Sequence, residues 1–247
     1  MELTVATLNV RTSLGPDWLH SWIFRRSITV RALMDLDADV IALQEVRRGQ
    51  LQYLRRKLPD YELLAIGRDD GRSKGEHLVM AVRRSLAGNV RVEGLWFTET
   101  PGVPGRPAGS RFNRFALYTY GLAVPVVNVH LEERSVPARL ASIVMLAEWS
   151  PPDAVILGDF NCRIDDAALE PLWQAGWVDA LAGLPAQGPV SATHHSFSGR
   201  VKGTRIDHIL VPQGAQVTEA RIVHDRPSGR LPSDHWPVVA TVSLPVP

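Results

Sequence analysis

The sequence predicts an α/β fold of two packed sheets with helices outside. Short runs rich in Val, Ile and Leu recur along the whole chain, helical periodicity appears in a few places between them, and no internal repeat or low-complexity tail breaks the series. Many strands with few helices favour sheets packed on one another.

In chain order, strands are expected near Leu3–Val10 and Val40–Gln44, with a helix over Ser27–Leu36 between them. A helix at Gly49–Leu58 leads to strands at Glu62–Ile66, Leu78–Arg83 and Val90–Trp96. Thr98–Ser110 is a loop, because its prolines and glycines sustain neither a ladder nor a helix. Strands at Phe112–Tyr120 and Val124–His130 follow, then a helix at Pro137–Trp149, a strand at Ala154–Gly158 and a helix at Ala167–Ala175. Gly183–Gly203 is loop-rich, and Arg205–Val211, Gln216–Val223 and Val238–Ser243 are the last strands.

The chain has 247 residues, 45% hydrophobic and 21% charged, an ordinary composition for a protein with a large core. That length permits two domains, but single domains reach about 250 residues, and one domain over residues 1–247 is the expectation. One cysteine, Cys162, excludes an internal disulfide framework. The N-terminus MELTVATLNV reads as a strand and not as a signal segment. No apolar run approaches the roughly 18 residues of a membrane span. A cytoplasmic monomer is therefore expected. The net charge of +1 shows no basic excess of the kind that tight duplex-DNA binding requires.

Polar residues at the ends of apolar strands mark the candidate chemistry, since binding groups favour loops on a rigid scaffold. TLNV ends near Asn9, and DVIALQE at Gln44 and Glu45. VPVVNVHLE presents Asn128 and His130 on one face by alternation. AVILGDFN ends in Asp159 and Asn161, RIDHILV carries Asp207, and LPSDHWPV carries Asp234 and His235. Taken singly, Asn9 reads also as a turn residue, Glu45 as a solvated strand end and His130 as a satisfied half-buried histidine. Asp207 is harder to dismiss, because a carboxylate inside an apolar strand needs a partner, and a histidine supplies one. Chance explains the ordered set poorly. Carboxylates and amides without a cysteine cluster or HExxH suit Mg²⁺ or Mn²⁺ better than structural zinc, and the matching chemistry is metal-assisted attack of water on phosphorus.

The order TLNV, LQE, NVHL, GDFN, RID and SDH resembles the endonuclease/exonuclease/phosphatase superfamily over residues 4 to 239. IGRDDGRSKGE (Ile66–Glu76), LWFTETPGVPG (Leu95–Gly105) and HHSFSG (His194–Gly199) are similar to segments of a bacterial branch nearer to its deadenylase-like members. The resemblance implies a four-layered α/β sandwich, with two mainly antiparallel sheets flanked by helices and the site at one end. It implies Glu45 as principal metal ligand with Asn9 beside it and Asp234 contributing. Asp159 would position or deprotonate the attacking water, while Asn161 and His130 contact the phosphoryl group. His235, oriented by Asp207, would stabilise developing charge or transfer a proton. Asn128 and His195 are further candidates for lining the substrate. Arg111 and Arg114 read either as a clamp on a second phosphate or as surface arginines. Cys162 should face away from the site. The chain departs from the family at Arg11, where some nucleases carry an acid, and at Glu132-Glu133-Arg134, where the branch has Asp-His.

Three functions stay open on these residues. One is a hydrolase of a small or lipid-linked phosphoester, mono- or diester. Another is a nuclease on single-stranded DNA or RNA ends, which needs stacking surfaces such as Trp96, Phe97 or Trp173. The third, a non-catalytic binding module, would leave mutually repelling carboxylates without a reason.

Overall fold

The structure, a computed structural model, describes residues 2–182 and 192–243. One sheet contains β1 (Glu2–Asn9), β2 (Val40–Val46), β3 (Tyr61–Gly67), β4 (His77–Arg83), β11 (Gln216–Ile222) and β12 (Val238–Ser243), in the order β11-β12-β1-β2-β4-β3. The other contains β5 (Arg91–Trp96), β6 (Phe115–Tyr120), β7 (Val126–His130), β8 (Val155–Asp159), β9 (Trp177–Asp179) and β10 (Asp207–Pro212), in the order β5-β6-β7-β8-β10-β9. Each sheet has a single parallel pair, β1·β2 and β7·β8, with the other described pairs antiparallel. Both parallel pairs need a crossover, supplied by α1 (Trp22–Asp35) and α3 (Val136–Trp149).

Alternation along the strands explains the layers. Leu3 and Val5 of β1 point into the core between the sheets, with Val40, Met80, Leu117, Leu157 and Trp236. Ala6 and Leu8 point outward, against Val30 and Leu33 of α1 and Leu51 and Leu54 of α2 (Arg48–Lys57). On the far side, Val127, Val129 and Ile156 pack on Ile143 and Leu146 of α3 and on Leu172 of α4 (Glu170–Gln174). The result is the expected four-layered sandwich. Among the described residues, no helix is long and apolar enough to cross a membrane.

The differences from the sequence reading have local causes. Helix α1 starts at Trp22, five residues before the expected Ser27, because Ile23 and Phe24 are exposed and break the apolar phase. The Ala167–Ala175 segment divides into a 3-10 turn over Ala167–Leu169 and then α4. β9 has three residues, too few to show a period. Of the loop-rich stretch Gly183–Gly203, residues 183–191 lie outside the described residues.

One buried residue corrects the sequence reading. Asn128 does not line the substrate: it has no exposed surface, and all its contacts join the two sheets. Its Nδ2 donates to the carbonyls of Leu43 (3.1 Å) and Val79 (3.0 Å), and its Oδ1 accepts from Gln44 Nε2 (2.8 Å). Leu43 and Val79 are opposite one another at the point where the β2·β4 register slips before Val46. The bulge interrupts the ladder there, and the Asn128 amide satisfies both carbonyls from the opposite sheet. Asn128→Ala is expected to cost about 3 kcal/mol, because it strands two buried carbonyls and the Gln44 amide. Urea denaturation measures this, and a loss below about 1 kcal/mol would refute the bridging role.

Candidate active site

The strand registers bring the polar residues together. Asn9 and Gln44 are paired at the ends of the parallel strands β1 and β2, so Glu45 lies just beyond, beside Asn9. Glu45 has φ +60°, a conformation L residues avoid, and it sits in the bulge that Asn128 supports. On the facing sheet, Asp159 ends β8 between two partners in register, His130 on β7 and Asp207 on β10. Gly158 makes this approach workable: at φ +144°, a Cβ there would collide with the Val129 carbonyl. His235 enters from the turn before β12.

Asn9 stitches the two halves. Its Nδ2 lies 3.0 Å from Glu45 Oε1 and 3.0 Å from Asp159 Oδ2, and its Oδ1 accepts from the Arg11 N–H at 2.9 Å. Asn9 thus clamps the two carboxylates, while its oxygen keeps a second lone pair for a further partner. Glu45 Oε2 accepts from the Thr12 N–H (2.7 Å). Asp159 Oδ1 accepts from the N–H of Asn161, whose side chain donates to the Leu131 carbonyl (2.9 Å). Asn161 has φ +52°, a region asparagine tolerates better than most residues, which turns the chain sharply after Asp159.

The two histidines beside Asp159 differ in charge. His235 Nδ1 is 2.9 Å from Asp207 Oδ2, and its Nε2 is 4.0 Å from Asp159 Oδ2. Burial alone would lower this imidazole, but the Asp207 charge and hydrogen bond, backed by Asp234 and Asp159, push it up to about 10. His130 Nε2 is 3.8 Å from the same Asp159 oxygen. Burial, then Arg114 and Arg68, hold His130 well below the ordinary histidine value. At neutral pH one imidazole is charged and the other neutral, a separation that commonly assigns acid and base roles. Asp159 itself is pushed up, first by burial and then by Asp207.

Several further residues surround this centre. Arg11 binds Asp17 through Nε (3.2 Å) and Nη2 (3.1 Å) and lies 3.7 Å from Asp234 Oδ2, so it neutralises acids where some relatives add one. His194 rests against His235, with ring centroids 4.8 Å apart, and its ring can share a cation with Asp234 and His235. His195, the expected lining residue, is instead buried against Trp236, with Nδ1 accepting from the Gly199 N–H. Strand alternation could not choose between adjacent histidines in a loop. Arg114 is buried, 3.6 Å from Glu132 Oε2, whereas Arg111 is exposed over the Phe112 ring, so the pair forms no clamp. Glu132 turns inward, accepting from Ser110 Oγ (2.5 Å). Cys162 is buried in the outer core, as expected. Arg68, Glu76 and Asn113 border the site with Glu45 and His130 around about 240 Å³ of open space. For Arg68 and Glu76 the signal was the polar run RDDGRSKGE between two apolar strands; Asn113 had none.

The donor set fits a hard divalent cation. Glu45, Asp159, Asp207 and Asp234 offer carboxylate oxygens, and Asp207 Oδ1 is buried with no hydrogen-bond partner. Ligand atoms of Asp159, Asp207 and His235 lie within 4.8 Å of one another. Two carboxylates this close in a buried site call for positive charge.

The chain is similar to known proteins over nearly its whole length. None of the curated proteins matches the chain. An endonuclease/exonuclease/phosphatase family protein from Bacteroides thetaiotaomicron superposes with a TM-score of 0.88 at 25% identity, covering 98% of this chain and 97% of the other. A mannosyl-6-phosphatase from that organism gives 0.87 at 25% identity, covering 98% and 100%. D. rerio TDP2 in complex with a single-strand DNA product gives 0.73 at 20% identity, covering 98% and 99%, a likeness of fold alone. The model of the endonuclease/exonuclease/phosphatase family matches residues 6–235, and the chain belongs to that family of phosphoester hydrolases.

Proposed function

We propose that the chain is a divalent-metal-dependent phosphoesterase that cleaves a small phosphomonoester by attack of water on phosphorus. The observation that carries this reading is the buried Asp159, set between a neutral His130 and a charged His235 held by Asp207. Glu45 would hold Mg²⁺ or Mn²⁺ with help from the neighbouring carboxylates. Such an ion neutralises charge on phosphoryl oxygens and lowers the pKa of bound water.

The residues supply the rest. Asp159, made more basic by its surroundings, accepts a proton from the attacking water. The water oxygen bonds to phosphorus, the ester P–O bond breaks, and the leaving oxygen takes a proton. His235, on the side of Asp159 opposite His130, offers a fixed positive charge to the phosphoryl oxygens. Neutral His130 and the Asn161 amide orient the same group.

A monoester is supported by the 25% identical neighbour described as a mannosyl-6-phosphatase. The stacking surfaces a nuclease would use are missing at the expected places: Trp96 and Phe97 are buried, and Trp173 packs on the outer core. The test is hydrolysis of p-nitrophenyl phosphate and bis-p-nitrophenyl phosphate with Mg²⁺, Mn²⁺ or EDTA. EDTA-sensitive cleavage favouring the monoester is the expected result. Preference for the diester would overturn the monoester reading, and activity persisting in EDTA would overturn metal dependence.

A further inference from the structure

The hydrogen bond between Asp207 and His235 joins residues that belong to different sheets. Asp207 opens β10 in one, and His235 sits in the turn before β12 of the other. A 2.9 Å contact between two such side chains needs both backbones held from a common support. The strip Thr193–His195 supplies it. The strip runs antiparallel to the turn, with His194 opposite His235. The Trp236 N–H donates to the Thr193 carbonyl at 2.7 Å, and the His195 N–H donates to the Asp234 carbonyl at 2.8 Å. These bonds fix the backbone immediately before and after His235.

The same Thr193 reaches the other partner. Its Oγ1 accepts from the N–H of Ile206 at 2.9 Å and from the N–H of Asp207 at 3.1 Å. A hydroxyl oxygen has two acceptor lone pairs, one for each N–H. Strand β9 pairs with β10 only at Leu210–Pro212, past these two positions. Thr193 has no exposed surface, so removing its oxygen would strand two donors away from bulk water. Its own N–H donates to the Thr204 carbonyl at 3.1 Å, which ties the strip to the chain entering β10. One buried side chain therefore links the start of β10 to the turn that carries His235. An imidazole aimed at a reacting group is sensitive to such support, because a shift of about 1 Å costs up to about a hundredfold in rate.

We propose that Thr193 is a positioning residue, whose carbonyl at Trp236 and hydroxyl at Ile206 and Asp207 together set the separation of Asp207 and His235. Its effect on turnover rests on the phosphoesterase reading, whereas the hydrogen bond it sets is observable whether or not an ester is cleaved.

The test compares Thr193→Val, which keeps the shape and removes the acceptor, Thr193→Ala, which removes it without a branched replacement, and Thr193→Ser, which keeps it. The readouts are kcat and KM for p-nitrophenyl phosphate with Mg²⁺, and the downfield proton resonance of the His235 Nδ1–H, assigned by its loss in His235→Ala. In Thr193→Val, or in Thr193→Ala should the first not fold, kcat should fall about tenfold to a hundredfold while KM changes less than about threefold. The resonance should move upfield or broaden in the same variants. Thr193→Ser should keep the resonance in place and kcat within about threefold of wild type. A merely structural role would lower urea stability but leave the resonance and kcat per folded molecule unchanged, which would overturn the proposal. Turnover that serine does not rescue, a fold lost in both Thr193→Val and Thr193→Ala, or a wild type without the resonance would overturn it as well. A resonance displaced by valine and restored by serine, in an enzyme that cleaves no ester, would support the positioning role and sink the phosphoesterase reading.

Discussion

His235→Ala is expected to lower kcat about a thousandfold while the protein stays folded. On the proposed mechanism the residue would offer a fixed charge and a donor to the phosphoryl group, and losing one such group costs about 10²–10³ in well-studied sites. Asp207→Asn should cost at least about a hundredfold through the same imidazole, because it replaces the charged acceptor of the 2.9 Å bond to Nδ1 by a neutral amide and removes the main charge that keeps the ring protonated. The double variant should be little worse than His235→Ala alone, since the two act as a unit. His235 is charged below about 10, so wild-type activity should fall as pH rises through that value. In Asp207→Asn the charged form keeps only the support of Asp234 and Asp159, and this alkaline limb should move toward neutral pH. Stability follows the same sign. A histidine raised in the folded state contributes stability in full below its unfolded value of about 6.5, and that contribution is lost as pH rises toward about 10. An unshifted limb in Asp207→Asn, read from the pH dependence of kcat, would refute the coupling.

The candidate constellation was legible in the sequence because each member ends or opens an apolar strand. Asn9, Glu45, His130, Asp159 and Asp207 fall at such ends, and the sheet registers then do the assembling. The four layers were legible too, since Leu3 and Val5 against Ala6 and Leu8 already show two buried faces. What periodicity does not carry is what a side chain finds when it arrives. Asn128 shares a strand face with His130, but it meets the open carbonyls of a bulge that no linear pattern announces. Adjacent His194 and His195 differ only by which way a loop turns. Arg68 and Glu76 are eight residues apart and joined by a turn that folds back, with the Arg68 N–H donating to the Glu76 carbonyl at 2.9 Å. Their polar run looks like solvated loop until that turn is drawn.

Glu45→Gln should remove metal-dependent turnover by about a thousandfold and weaken Mg²⁺ or Mn²⁺ binding by about a hundredfold or more, as read by calorimetry. The structure reaches Glu45 at a cost: a left-handed backbone at φ +60° on a non-glycine residue, inside a bulge that interrupts the ladder. Strain of about 1–3 kcal/mol is kept where it aims a functional group. The carboxylate then lands 3.0 Å from the Asn9 amide that also holds Asp159, which fixes two acids on one donor. Glutamine keeps the shape and can still accept from the Thr12 N–H, so stability in EDTA should change by less than about 1 kcal/mol. A second group of candidate ligands, His194, Asp234 and His235, lies on the other side of the site. If Glu45→Gln left Mg²⁺ affinity unchanged while Asp234→Asn abolished it, the cation would belong to that group. Arg11 argues against this outcome, because it lies 3.7 Å from Asp234 Oδ2 and already supplies the positive charge a cation would bring.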